Sequence, residues 1–227
     1  MSALLDSFAS SFEALRARDA AGLAAPRRAA LESALRDGLP APRSEAWKYT
    51  PLRALERRGF APAAGASFDA ATLDARLAGI PAPRMVFVDG RFDAARSDLA
   101  ALPAGIDVQP LSRVLREGSE RDANFLQRRY GGADEVFAVV NAALAEEGAV
   151  VRIDREAGDD AVLHLVFAAS AAGGDTAAHL RHFIDLRNDS SLQLVEHHLA
   201  LGEHRGLGNH VMHVHVGQRA RLRHARL

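Results

Sequence analysis

All ten histidines of the chain lie between His164 and His224. Imidazole ligates transition metals, moves protons near neutral pH and, unperturbed, titrates near 6.5. His213 and His215 are two residues apart in Val211–Val216, an alternating run that reads as a strand. Period two sends both side chains to one face, as in the metal-ligand pairs of β-barrels. The surrounding pattern fails at both ends. The glycine such barrels place six residues before the first His is Leu207, and the glutamate four or five after the second is Arg219 or Ala220. Glu196 or Glu203 could complete a His₂-carboxylate set, which makes a small His-ligated, metal-dependent β-barrel enzyme the alternative reading. His197, His213, His215 and His224 are the candidates for contact with a metal. The preferred reading is a histidine-lined sheet face, with no metal set and no catalytic residue assigned.

Other chemistry is absent from the sequence. There is no cysteine, which excludes disulfides, thiolate nucleophiles and Cys-ligated zinc or iron–sulfur centres built from this chain alone. There is no phosphate-binding G-x-x-x-x-G-K-[ST] loop and no G-x-S-x-G elbow. The Gly202–Gly208 cluster has the wrong spacing for a dinucleotide turn. Basic and acidic residues balance, 28 against 29, which argues against nucleic acid as a partner. No apolar run approaches the roughly 18 residues of a membrane span. The first residues lack the charged and apolar regions of a secretory signal, so the expected location is cytoplasmic.

The elements that must position these residues change character along the 227-residue chain. Residues 1–83 read as a helical region and linker. Leu4, Leu5, Phe8, Phe12 and Leu15 form one helical stripe, and a second helix runs from about Pro26 to Asp37 before Gly38. Thr50 and Pro51 suggest a short helix through Leu55. Trp47, Tyr49 and Pro51 are read as structural anchors. Residues 60–83 form the linker, with a short helical pattern at Thr72–Leu77. Residues 84–148 read as a mixed α/β connecting region: a strand from Arg84, an Asp89-Gly90 turn, a short strand at Ile106–Val108, and helices at Leu111–Glu117, Ser119–Arg129 and Asp134–Glu146. From Ala149 the period becomes two. Strands are expected at Val162–Phe167, Leu180–Leu186, Leu192–Leu199 and Val211–Val216, with turns at Gly158–Asp160, Gly173–Asp175, Arg187–Ser190 and Gly217–Gln218. A shift of 30 residues lays Ile184 on Val214, Leu186 on Val216 and Leu192 on Leu222. This internal echo fits stacked coils of a solenoid, and an antiparallel sandwich is its rival.

Glu45-Ala-Trp-Lys-Tyr-Thr-Pro-Leu52, Val86-Phe-Val-Asp-Gly-Arg-Phe92 and Phe137-Ala-Val-Val-Asn-Ala-Ala-Leu144 resemble the SufD family in order and spacing. So do Arg181–Asp185, Val195–His197 and Ala220–His224. The resemblance implies a non-enzymatic scaffold subunit of iron–sulfur cluster assembly that acts with SufB and the SufC ATPase. It implies a mainly β fold: an N-terminal helical region, then a right-handed parallel β-helix, here cut before its end, with residues 149–227 as its first coils. It further implies that iron or a cluster is held only in the full complex, and that the regions docking SufB and SufC lie mostly outside this sequence. The expectation is therefore an N-terminal fragment that can form a homodimer through its exposed last coil.

Overall fold

The computed structural model describes residues 2–15, 20–63, 68–154, 161–170 and 174–227. The expected turns at Gly158–Asp160 and around Gly173 fall wholly or partly outside them.

The first helix, α1 (Ala3–Glu13), starts on Ser2, whose side chain accepts from the Leu5 backbone N–H, and buries Leu4, Leu5, Phe8 and Phe12. Burial of each such side chain contributes about 1.5–3 kcal/mol. Helix α2 (Ala24–Asp37) stops at Gly38, whose φ of 73° suits glycine. The motif around Trp47 leads through a 3₁₀ turn into α3 (Arg53–Glu56), shorter and later than Thr50 and Pro51 suggest. Strand β1 (Ala61–Pro62) and α4 (Ala70–Leu77), capped by Asp69, occupy the expected linker. Strands β2 (Arg84–Val88) and β3 (Arg91–Phe92) form a hairpin across Asp89 and Gly90, both with positive φ. Strand β4 (Ile106–Pro110) runs into α5 (Leu111–Glu117). The helix expected at Ser119–Arg129 is replaced by turns and one 3₁₀ segment, Asn124–Gln127. Its cap residues bond each other, Ser119 Oγ donating to Asp122 at 2.7 Å, without a helix following. Helix α6 (Val136–Leu144) precedes β5 (Ala149–Ile153), β6 (Val162–Ala169), β7 (Asp175–Leu186), β8 (Ser191–Ala200), β9 (Arg205–Val216) and β10 (Arg221–Arg226).

Two sheets face each other. In the first, β4, β5, β7 and β9 lie side by side, with β1 also on β7; the second runs β10-β8-β6-β2-β3. Met85, Phe87, Val151, Ile153, Leu163, Leu165, Leu180, Ile184, Leu192 and Leu194 pack between them as the main core. The outer face of the first sheet carries α1, α2 and α6 at one end and α5 at the other. The outer face of the second carries α4 through Leu73 and Leu77. Buried polar groups fasten α2, α6 and the first sheet together. Arg27 donates to the carbonyls of Ala143 and Ala145 at the end of α6, 3.0 and 2.7 Å away. Asn141 of α6 donates to the carbonyls of Leu180 and Asn209 on β7 and β9, at 2.8 and 2.9 Å.

The expectation of a mainly β, right-handed parallel β-helix is overturned. The described residues form a mixed α/β fold of two open sheets. Each sheet mixes parallel pairs with an antiparallel one, β4 on β5 and β2 on β3. The physical reason is that alternation specifies which face a strand buries, but not which strand pairs with it or in what direction. The 30-residue echo corresponds to a local register. Ile184 pairs with Val214 and Leu186 with Val216 on β7 and β9, and Leu192 pairs with Leu222 on β8 and β10, all parallel. The turns between them stack as well: Asn188 Oδ1 accepts from the Gln218 N–H at 2.9 Å, and Arg219 forms an ion pair with Asp189.

Candidate functional site at the mouth of the two sheets

Strand alternation divides the histidines among three surfaces. On β7 and β9, His182 and His210 share the parity of Leu180 and Ile184 and point between the sheets. On β8, Glu196 and His198 continue the inward series Leu192, Leu194, and His224 joins them from β10. Glu196 is 2% exposed and is the hub of this group. His198 Nε2 lies 3.0 Å from its Oε2, His224 Nε2 lies 2.9 Å from its Oε1, and Arg226 Nε donates to Oε2 at 2.9 Å. Burial alone would raise the carboxyl's pKa. The bonds from His198, Arg226 and His224 outweigh it and hold the pKa down to about 2. The group is therefore a carboxylate, and it ties the edge strand β10 to β8.

Deeper in, His182 Nδ1 accepts the Ala149 backbone N–H at 3.0 Å, and its Nε2 lies 3.5 Å from His210 Nδ1. Burial, reinforced by neighbouring imidazoles, lowers His182 to about 3 and His210 to about 4, so both rings are neutral near pH 7. Phe167 packs against His182, His198 and His210, with centroids 5.3, 5.1 and 4.6 Å away.

Where β2, β6 and β8 end and β7 and β9 begin, this group opens into a cavity of about 270 Å³. His198, His204 and His210 line it beside Phe87 and Phe167, and Asp89, Ser170 and Thr176 stand at its rim. Both oxygens of Asp89 are engaged by Ser170, through the backbone N–H at 2.8 Å and the hydroxyl at 2.6 Å. Small residues, including Ala168, Ala178, Ala200, Gly206 and Gly208, leave the space open.

The remaining histidines face outward. On the second sheet His164 Nδ1 lies 3.0 Å from His197 Nε2, and burial keeps the pKa of both low. On the first, His179 meets the Phe8 ring edge-on at 5.3 Å, and burial lowers it to about 4. His213 packs beside Phe183, with centroids 5.7 Å apart. His215 Nδ1 lies 2.8 Å from Asp185 Oδ1 and ends a cross-strand row of Asp107, Arg152, Asp185 and His215. His213 and His215 thus share one face and line one groove, apart from Glu196, which sits between the sheets. His197, His213 with His215, and His224 occupy three separate surfaces. Among the described residues, no group of three or more His, Asp or Glu side chains is arranged to hold a metal ion. Sequence reasoning did not single out His182, His198 or His210. The signal was present in the period-two series Leu192, Leu194, Glu196, His198, which runs from core residues into polar ones.

The Trp47 motif lies elsewhere. Trp47 Nε1 donates to the Asp134 carbonyl at 3.0 Å, and its ring packs 5.5 Å from Phe137. Tyr49 is 87% exposed, and Pro51 is exposed beside it.

Residues 1–163 match the family described as the SufBD protein N-terminal region. The chain belongs to the SufBD family. This SufBD-family chain is 29% identical over 203 residues to the iron–sulfur cluster assembly protein SufD of Escherichia coli, covering 87% of the chain and 44% of that protein. It is 26% identical over 197 residues to an iron–sulfur cluster assembly SufBD family protein of Synechocystis, covering 83% of the chain and 43% of that protein. The chain therefore spans less than half the length of these relatives. The family match ends one residue before His164, so the whole histidine set lies beyond it.

Proposed function

We propose that this chain serves as a non-enzymatic scaffold component of iron–sulfur cluster assembly, working in the cytoplasm with a SufB-type sister chain and the SufC ATPase. The observation that carries this reading is the family match over residues 1–163, together with relatives named for iron–sulfur cluster assembly. The site chemistry is in keeping with it. The inward histidines bond to a carboxylate, to a backbone N–H or to one another. On this reading iron and sulfide are cargo of the complete assembly, and no cofactor resides in this chain.

The test is genetic and biochemical together. A strain lacking the gene should lose most aconitase activity under iron limitation and regain it on complementation. The protein, tagged at its native locus, should co-purify with an ABC-type ATPase and a sister SufBD chain. Full aconitase activity in the deletion strain, with neither protein captured, would refute the proposal.

A further inference from the structure

The cavity at the mouth of the sheets presents hydrogen-bond donors whose orientation follows from the backbone. The Ala149 N–H donates to His182 Nδ1 at 3.0 Å, so the proton of this neutral ring sits on Nε2. That Nε2 faces His210 Nδ1 at 3.5 Å, which leaves the His210 proton on its own Nε2. A Cβ added at Gly208, a cavity-lining residue, would stand 3.3 Å from this Nε2, so the His210 N–H opens into space that a side chain there would crowd. The Gly206 N–H donates to His204 Nδ1 at 3.3 Å, so His204, in its neutral form, also carries its proton on Nε2. Among the described residues, no protein acceptor takes either Nε2–H. Two imidazole donors therefore line one cavity beside Phe87, Phe167 and Leu180, with His198 in its wall and Asp89, Ser170 and Thr176 at its rim.

Charge narrows the ligand. Among the described residues the lining holds the Asp89 carboxylate and neither lysine nor arginine. An anion there would be desolvated with no fixed cation to offset the loss and would be repelled by Asp89, an unfavourable exchange. Size narrows it further: about 270 Å³ lies just below the usual range for small-molecule sites and admits one ring with a short substituent. We propose that this cavity binds a small uncharged aromatic molecule through a hydrogen-bond-accepting carbonyl or ring nitrogen that receives the His210 and His204 N–H groups. The proposal concerns these residues alone and does not depend on the assembly role.

The experiment is a titration of the protein at pH 8 followed by NMR of the histidine ring signals, with benzamide, benzoate and toluene as probes. Benzamide should shift the His210 and His204 signals saturably at one site. Benzoate and toluene should bind at least about tenfold more weakly, a difference of about 1.4 kcal/mol. Gly208→Ala, at a position without positive φ, should place a methyl group over His210 Nε2 and abolish the shifts. Ala200→Leu, an exposed rim substitution on the opposite sheet, should do the same and serves if the first variant is unstable. Any one of three results would overturn the proposal: no saturable shift with millimolar benzamide, benzoate binding as tightly as benzamide, or full benzamide affinity in a folded rim variant.

Discussion

Buried imidazoles make the chain's stability depend on pH. His179, His182 and His210 are lowered to about 4, 3 and 4, primarily by burial. In the unfolded chain each would titrate near 6.5. Below that value the unfolded state binds protons that the folded state refuses. The stability these rings permit is therefore complete above about pH 6.5 and is lost as pH falls toward their folded values, by about 1.4 kcal/mol per pH unit for each ring. Glu196 acts in a separate, more acidic window. Its pKa is lowered to about 2, so its contribution is present above the ordinary carboxyl value and is lost between there and about 2. Denaturant unfolding between pH 6.5 and 5 should report mainly the histidines, with a smaller opposing part from Glu147, whose carboxyl pKa burial raises. His182→Asn keeps an acceptor for the Ala149 N–H without a titrating ring. It should reduce the pH slope of unfolding free energy by about 1.4 kcal/mol per unit. An unchanged slope would show that His182 is protonated in the folded state.

At the scale of elements, two contacts decide how strands and helices meet. Gly148 has a φ of 150°, and a Cβ there would fall 1.9 Å from the Arg181 carbonyl oxygen on β7. The close approach of β5 to β7 therefore requires glycine. Gly148→Ala should destabilise the chain by about 3–5 kcal/mol, measured as a shift in urea midpoint, because backbone must move to admit the methyl group. The second contact is Glu196, which holds β10 through His224 and Arg226. Glu196→Gln should increase amide exchange across β10 at least tenfold while leaving β5 and β7 protected. Equal loss of protection in all strands would mean that β10 does not open separately. Several elements were legible in advance. The stripe of Leu4, Leu5, Phe8 and Phe12 marks α1, and the Leu111–Glu117 pattern matches α5. The Ser119 signal was misleading, since Ser119 and Asp122 bond each other just as well in a turn as in a capping box.

At the scale of the whole molecule, β9 and β10 are edge strands of the two sheets among the described residues. Val214 and Val216 are 39% and 48% exposed on β9. Unpaired edge strands with apolar side chains invite pairing with another chain. Purified chain should therefore show concentration-dependent dimerisation in sedimentation velocity. Val216→Lys should suppress it, since a charged edge residue opposes pairing. A monomer at every concentration tested would rule out this edge as a self-association surface.

The sequence alone determined the faces. Period-two alternation placed His213 with His215 on one side of a strand, because side-chain direction in a strand depends only on residue parity. It also determined the helical start, the histidine clustering and the missing thiol and phosphate-loop chemistry. Only the tertiary structure decided which faces look inward, which strands are neighbours, and that Glu196 collects His198, His224 and Arg226 while His213 and His215 turn to the opposite side of the first sheet. Those outcomes depend on pairing direction and on how two sheets stack. Both are set by packing between segments far apart in the chain, and no local period encodes it.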